Sequence, residues 1–202
     1  MEALLADFRA AHTQVLGISV DSVFCHANWA KDLGGISFPL LSDFEPKGGV
    51  AAGFGLYLAE PGITDRATVI IDKDGIVRHR SSVTPSGSRD IAELAGLCAG
   101  IDKEHGQGMA EFPVPRGLSP SSTLFVKSGC GFSRAALLAR DNLHLQEILE
   151  VKNITDDRSA KEELIKVAGK DQVPCLVRDG QAMHESTDII KHLTESSTDL
   201  TL

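Results

Sequence analysis

The sequence predicts an α/β protein whose two domains are joined by a linker rich in proline and glycine. Helix and strand patterns alternate in both halves of the 202-residue chain, as in domains that pack helices against a sheet. Residues 102–121 break this pattern, because they combine Gly, Pro and charged residues without apolar periodicity. No repeat relates the halves, so we expect two different domains, at 1–101 and 122–197, and a tail at 198–202.

Turn and capping residues divide the first half into short elements. The run ATVIIDKDGIVRHRSSV gives the strongest signal, since two β-rich stretches flank a turn at Asp72–Gly75. Ser88 is placed to cap the last helix, and Asp21 or Ser22 caps an earlier one. In chain order we expect a helix (3–11), a buried strand (14–20), a helix (22–33), an extended segment (37–43), a weak helix (47–54), the hairpin (67–83) and a helix (89–99).

The second half predicts a small central sheet with helices on both faces. Its apolar runs alternate with amphipathic stretches, and Asp179-Gly180 marks a hairpin turn. The expected order is strand (123–127), a loop that contains Cys130, helix (133–142), strand (147–152), helix (159–168), two strands (173–178 and 181–183) and helix (186–195).

Composition and charge exclude several classes of protein. A formal net charge of -8 gives no attraction to phosphate backbones, so we expect no nucleic-acid partner. No apolar run approaches the roughly 20 residues that span a bilayer, and residues 1–9 do not resemble a signal peptide. We therefore expect a cytoplasmic protein without a membrane partner. The seven histidines lack the spacing of a metal site.

Cys130 is the strongest candidate for catalysis. It lies in SGCGFS, after a predicted strand and before a predicted helix. A thiol at a helix N-terminus faces unpaired N–H groups that favour the thiolate, and Lys127 adds a positive charge. Ser133 occupies the place of the second cysteine in a C-x-x-C motif. An external thiol must therefore form the mixed disulfide.

Residues Thr123 to Leu193 resemble a glutaredoxin of the monothiol type. The resemblance rests on the CGFS motif and on the pair Val173-Pro174 that opens a strand. It implies a thioredoxin-like fold, glutathione as co-substrate and a cis proline. The segment HESTD at 184–188 is instead similar to the N-terminal domain of glutathione transferases, which binds the γ-glutamyl end there. The glutathione-binding residues so implied are Lys127, Gly131, Phe132, Ser133, Val173, Pro174, Glu185 and Ser186.

An alternative function follows from the same motif. Monothiol glutaredoxins of the CGFS type hold an iron–sulfur cluster between two subunits with two glutathiones. Cys130 permits that role and supplies one protein thiolate per subunit. The alternatives at this stage are thus a thiol–disulfide oxidoreductase and an iron–sulfur carrier or glutathione-binding module without turnover.

Residues Gln14 to Ile101 resemble peroxiredoxins of the alkyl hydroperoxide reductase type. The matching stretches are QVLGISVDSVFCHANWA, SFPLLSDF and YLAEPGITDRATVIIDKDGIVRH. The resemblance implies a second thioredoxin-like domain, hydroperoxide substrates and a possible homo-oligomer through this half. Arg66 matches the family arginine that stabilises the peroxidatic thiolate, a role that suits its fixed charge and fork of donors.

The peroxidatic cysteine of that family is expected upstream of Met1. It lies on the helix whose end Met1 to Ala11 resembles, about two helical turns before Met1. We therefore expect a first domain that lacks its N-terminal part and a central strand, with exposed apolar faces. The resulting prediction is a shortened peroxiredoxin fused to a glutaredoxin-like domain, with glutathione-linked exchange at Cys130 and little or no peroxidase activity.

The other three cysteines are expected to be structural. Cys25 is predicted as a semi-buried residue in the middle of a helix, Cys98 as core and Cys175 as a core residue of a strand. Cys130 should be the most acidic thiol and Cys98 the least reactive. The aromatic residues predicted as core are Trp29, Phe38, Phe44, Phe54 and Tyr57.

Overall fold

A computed structural model describes residues 1–199 and divides into two compact units. Unit 1 contains Met1–His26 and Phe38–Phe112, and unit 2 contains Ala27–Ser37 and the chain from Pro113 onward. Both units contain helices and strands, which confirms the mixed α/β class. No helix in residues 1–199 is long and apolar enough to cross a membrane. Positions 200–202 of the predicted tail lie outside the described residues.

Unit 1 is built from short elements. A 3-10 turn at Glu2–Leu4 leads into helix α1. The helices are α1 (Leu5–Ala10), α2 (Val23–Asp32, which continues into unit 2), α3 (Gly49–Gly53) and α4 (Ile91–His105). The strands are β1 (Gly17–Ser19), β2 (Leu40–Ser42), β3 (Tyr57–Leu58), β4 (Ile63–Thr64), β5 (Ala67–Ile71) and β6 (Val77–Ser82).

The strands of unit 1 associate only in pairs. Within the described residues, β1 and β2 are parallel, whereas β3 with β4 and β5 with β6 are antiparallel. Several large apolar side chains of these strands are exposed, among them Ile18, Leu41 and Ile71. The core of this unit lies where α1 and α4 pack beside β5, around Phe8, Ile70, Leu94 and Cys98.

Three aromatic residues predicted as core are in fact exposed. Trp29, Phe44 and Phe54 have 51%, 55% and 37% of their surface accessible, whereas Phe38 and Tyr57 are partly buried. The two-stranded pairs of unit 1 offer too little area to cover Phe44 and Phe54. Trp29 groups with unit 2, and the width of the unit 1 sheets does not explain its exposure.

Helix α4 differs from the prediction at both ends. Asp90 caps it, and its side chain accepts a hydrogen bond from the Glu93 N–H at 3.0 Å, so the predicted cap at Ser88 is wrong. The helix continues to His105 and includes the first residues of the predicted linker. Asp102 lies on this extension and contacts His12 of unit 1 at 3.0 Å.

Unit 2 contains a four-stranded sheet. Its elements are β7 (Thr123–Val126), α5 (Gly131–Asn142), β8 (Glu150–Asn153), α6 (Arg158–Ala168), β9 (Cys175–Arg178), β10 (Gln181–Met183) and α7 (Ser186–Ser197). The strand order is β10-β9-β7-β8. Only β7 and β8 are parallel. Strand β7 is therefore central and has a partner on each side.

Alternate residues of β7 enter two separate cores. Leu124 and Val126 pack in a cluster with Ala136 of α5 and Leu193 of α7. Phe125 joins Leu164 of α6 in a cluster on the other face. This alternation is the two-residue period of a strand with both faces buried. The predicted central sheet with helices on both faces is confirmed.

The boundary predicted at residue 101 does not match the compact units. Residues Ala27–Ser37 group with unit 2, and unit 1 extends to Phe112. Within unit 2, Lys31 forms an ion pair with Asp141 at 3.2 Å. The side chain of Asn142 also donates to the Ala27 carbonyl at 3.3 Å. These polar contacts join residues far apart in sequence, so no local pattern predicts them.

The cap of α4 provides a test of this part of the fold. Replacing Asp90 by Ala removes the acceptor for an N–H at the helix start and should lower the free energy of unfolding by about 1 kcal/mol. Asp90→Asn retains an acceptor oxygen and should stay near wild type. Equilibrium denaturation measures both. An unchanged Asp90→Ala variant would show that the observed cap does not stabilise α4.

Candidate active site around Cys130

A tight turn carries the chain from β7 to α5. The Cys130 N–H donates to the Lys127 carbonyl at 3.3 Å, which closes the turn. Gly129, the third turn residue, has φ 71°, a conformation that glycine adopts without strain. Cys130 follows as the N-cap of α5 and is partly exposed. The predicted position of this thiol at a helix N-terminus is thus present.

Ser133 holds the turn and the thiol together. It is 1% exposed, and its Oγ accepts a hydrogen bond from the Lys127 N–H at 3.2 Å. Its own N–H donates to the Sγ of Cys130 at 3.5 Å. Ser133, which stands in place of a second cysteine, therefore stabilises the turn and contacts the thiol.

Hydrogen bonds lower the pKa of Cys130. The largest contribution is the side-chain hydrogen bond with Ser133, followed by the Ser133 N–H; the Phe132 N–H and the charge of Lys127 contribute less. Burial opposes these effects but does not cancel them. Each donor stabilises negative charge on sulfur. Lys127, which the sequence selects as the second positive charge, is thus a minor influence.

A cleft of about 400 Å³ opens beside the thiol. Two cationic side chains, Lys127 and Arg134, are among its lining residues, and no carboxylate is. Arg134 also donates to the Asn28 side chain of the same unit at 3.0 Å. The cleft therefore suits a ligand that carries negative charge. Its lining residues are Val126, Lys127, Ser128, Gly129, Cys130, Gly131, Arg134, Leu137 and Asn153.

Three polar lining residues were not selected from the sequence. Arg134 lies four residues after Cys130, so helical spacing could have placed it on the same face. Ser128 in the turn meets Asn153 at the end of β8, a contact for which the sequence contains no signal. Of the predicted glutathione-binding residues, Lys127 and Gly131 line the cleft, and Ser133 contacts the thiol. Phe132 follows Gly131 in α5, and 70% of its surface is exposed.

The pair Val173-Pro174 lies at the same end of the sheet. Its peptide bond is cis, as the resemblance implies. Strand β9 pairs with β7 so that Cys175 is opposite Phe125. Continuing this register places Pro174 and Val173 beside Val126 and Lys127. The proline predicted to contact glutathione therefore lies next to the turn that carries Cys130.

The N-terminus of α7 is the second predicted anion site. Glu185 occupies the cap position with φ 65°, and no side chain caps the helix. The N–H groups of the first turn, which begins at Ser186, have no partner within the helix. The Glu185 carboxylate accepts a hydrogen bond from the Gln172 side chain at 3.1 Å. This bond joins the corner to the loop just before Val173.

Arg66 lies in unit 1, and its side chain is exposed. Its Nε donates to the Pro85 carbonyl at 3.0 Å, and its charge acts on the neighbouring Arg89, whose pKa is lowered mainly by burial. Two guanidinium groups thus lie near each other in this unit. The role of Arg66 toward a peroxidatic thiolate stays a prediction.

The remaining thiols differ in part from the predictions. Cys25 is exposed and lies in the first turn of α2, not semi-buried in the middle of a helix, because α2 begins at Val23. Its Sγ contacts the Asp21 carboxylate at 3.9 Å. Cys98 is buried, and burial raises its pKa. Cys175 is a core residue as predicted, and burial raises its pKa to about 11.

Comparisons with known proteins assign both parts of the chain. Residues 1–80 match the model of the AhpC/TSA family, and residues 124–198 match that of the glutathione S-transferase N-terminal domain. The first part of the chain is thus similar to the AhpC/TSA peroxiredoxins, and the second part is similar to the N-terminal domain of glutathione transferases. Both domains are of the thioredoxin-fold type, as the resemblances imply. The finer resemblance of the second domain to glutaredoxins rests on the CGFS motif and stays a prediction.

The curated relatives match the peroxiredoxin part. Chloroplastic 2-Cys peroxiredoxin BAS1 of Spinacia oleracea is 38% identical over 80 residues, 37% of this chain and 29% of the relative. Alkyl hydroperoxide reductase E of Mycobacterium tuberculosis is 37% identical over 86 residues, 43% of this chain and 56% of the relative. Among solved structures, Mycobacterium tuberculosis AhpC aligns with a TM-score of 0.47 and 28% identity, over 50% of this chain and 60% of that chain. The chain thus spans about half the length of these relatives, or less.

The hydroxyl of Ser133 can be tested without altering the thiol. Ser133→Ala removes the hydrogen bond that contributes most to the lowered pKa of Cys130, so this pKa should rise by about half a unit to one unit. Alkylation of Cys130 at about pH 6 should then be about three- to tenfold slower. Rates of iodoacetamide labelling against pH measure this. Ser122 offers a matched control, because its buried hydroxyl has no hydrogen-bond partner among residues 1–199. Equal pH midpoints of Cys130 labelling in Ser133→Ala and Ser122→Ala would contradict the role assigned to the Ser133 hydroxyl.

Proposed function

We propose that this chain is a glutathione-dependent thiol–disulfide oxidoreductase in which Cys130 is the nucleophile. The observation that carries the proposal is the Cys130 thiol at the N-terminus of α5, where hydrogen bonds from Ser133 lower its pKa beside an open cleft. A lowered pKa increases the fraction of thiolate, which is the attacking form. In the peroxiredoxin context, such a domain would reduce oxidised cysteines or disulfides formed during hydroperoxide reduction.

The exchange needs two glutathiones and no metal. The Cys130 thiolate attacks the glutathione sulfur of a mixed disulfide, so that a Cys130–glutathione disulfide forms and the other thiol leaves with the electron pair. A second glutathione thiolate then attacks the glutathione sulfur of this intermediate. Glutathione disulfide forms and the Cys130 thiolate is regenerated. The free glutathione supplies the electron pair that releases the substrate thiol, and the glutathione of the mixed disulfide becomes the other half of the glutathione disulfide.

The residues around the thiol suit glutathione. Lys127 supplies positive charge for a carboxylate, and the backbone at Gly131, Phe132 and Ser133 begins the helix at the sulfur. Val173 and Pro174 would pair with the cysteinyl backbone at the edge of the sheet. Glu185 and Ser186 would receive the γ-glutamyl end at the uncapped start of α7. These assignments follow the family resemblance residue by residue.

A single-thiol mechanism agrees with the placement of Cys175. This residue is fully buried in the cluster around Phe125, and its pKa is raised to about 11. A resolving cysteine must reach the mixed disulfide as a thiolate. An external thiol such as glutathione is therefore the natural partner for the second step.

The first domain relates this chemistry to hydroperoxides. From the similarity of this domain to the AhpC/TSA family, we expect hydroperoxides as substrates and Arg66 as the catalytic arginine. We also expect the chain to form a homo-oligomer through this domain. Of the two thiols of this unit, Cys98 is buried and Cys25 contacts a carboxylate. We therefore expect little peroxide turnover by this chain with glutathione alone.

The proposal is tested with a small mixed disulfide of glutathione as substrate. Replacement of Cys130 by Ser should lower its reduction by at least about a hundredfold, because the nucleophile is lost. Cys25→Ser, at an exposed position, should retain the wild-type rate. Reduction that persists in Cys130→Ser, or peroxide turnover at the level of a working peroxidase in Cys130→Ala, would contradict the proposal. Anaerobic reconstitution with iron, sulfide and glutathione tests the cluster-carrier alternative, which requires a coloured dimer that depends on Cys130.

A further inference from the structure

The turn that carries Cys130 is tied to the neighbouring loop of the sheet. The Ser128 N–H donates to the Thr155 Oγ1 at 3.0 Å. The side-chain amide of Asn153 donates to the Ser128 Oγ at 2.8 Å and to the Asp156 carboxylate at 2.7 Å. Both the backbone and the side chain of Ser128 are thus held by residues that lie at or just after the end of β8.

The anchoring residues are themselves fixed. The Asn153 side-chain carbonyl accepts a hydrogen bond from the Thr155 N–H at 3.0 Å. The backbone of the next residue, Ile154, donates to the Val126 carbonyl at 2.9 Å, so the pairing of β7 with β8 continues to this point. Asn153 therefore connects a regular strand to the turn, with both ends of its amide group engaged.

Ser128 is the second residue of the turn from Lys127 to Cys130. One backbone bond closes the turn, and the Lys127 N–H at its start bonds to Ser133. Gly129, the third residue, has open space around the position of a Cβ and does not itself restrict the backbone. The contacts to Ser128 therefore add a restraint on the middle of the turn, between Lys127 and the thiol.

We propose that Asn153, Thr155 and Asp156 are positioning residues for Cys130. By holding Ser128, they keep the thiol at the start of α5, where the N–H and hydroxyl of Ser133 meet its sulfur. This inference deepens the proposed function and rests on it, because it concerns the same nucleophile. It also accounts for the presence of Asn153 in the lining of the cleft, because its side-chain amide donates to Ser128 in the turn.

The network is mostly exposed to solvent, so its loss should affect geometry more than folding. Water can replace the Thr155 hydroxyl as the partner of the Ser128 N–H, but it does not restrain the turn. A looser turn weakens the contacts of Ser133 with sulfur. The effect should therefore appear in the titration of Cys130. Lys127, Arg134 and Asp156 are the charged residues of the cleft and network, and the substitutions used below change none of them.

The test measures iodoacetamide labelling of Cys130 against pH in the full chain. Thr155→Val removes the acceptor of the Ser128 N–H while keeping the shape of the side chain. It should raise the pH midpoint of Cys130 labelling by about half a unit, so that the rate at about pH 6 is about threefold lower. Thr155→Ser restores the hydroxyl and should restore the midpoint. Thr123→Val is the matched control, because that hydroxyl bonds Glu150 at the other end of β7.

A second pair of variants tests the network by a different route. Asn153→Ala and Ser128→Ala each remove one partner of the 2.8 Å bond, so each should raise the midpoint and the double variant should add little more. Thermal unfolding of each variant separates loss of positioning from loss of fold. Unshifted midpoints in Thr155→Val and Asn153→Ala, or a Thr155→Ser variant that fails to recover, would overturn the inference and leave the proposed function intact. A wild-type midpoint near that of an ordinary thiol, about 8.5, would overturn both.

Discussion

The contacts of Ser133 are the constraint on which the candidate site depends. One buried side chain accepts a hydrogen bond from the end of β7, at Lys127, and the same residue donates to the Cys130 sulfur from within α5. Because Ser133 is 1% exposed, water cannot easily replace either contact. A strand, a turn and a helix are thereby fixed around one thiol, and the same bonds that fix its position favour its charged form.

The two domains provide very different frameworks for chemistry. In unit 2, the central strand β7 has a partner on each side and a core on each face, so the turn at its carboxyl end is rigidly supported. In unit 1, the described strands remain in pairs and large apolar side chains are exposed. This contrast in packing explains why the proposed chemistry centres on Cys130, although the curated relatives match the other domain.

The sequence predicts what local signals determine. The strand-to-helix position of Cys130, the hairpin around Asp72 and the order of elements in unit 2 all follow from short patterns, and the structure contains them. Non-local facts were not predictable. Whether Phe44 is covered depends on how wide a sheet forms, and the contact of Ser128 with Asn153 depends on how the turn after β7 lies beside the end of β8. The sequence analysis selects Ser88 as the cap of α4, whereas the helix begins at Ile91 and is capped by Asp90.

The central claim is that one thiol of the folded chain is activated by its place in the fold. Competitive labelling of the native protein with limiting iodoacetamide at about pH 6, followed by peptide mass analysis, tests it most directly, since reactivity follows the thiolate fraction and access. We expect Cys130 to be labelled first, well ahead of exposed Cys25, and buried Cys98 and Cys175 to be labelled last. Labelling of Cys25 before Cys130 would place the activated thiol in unit 1 and would show that Cys130 is not activated by its position.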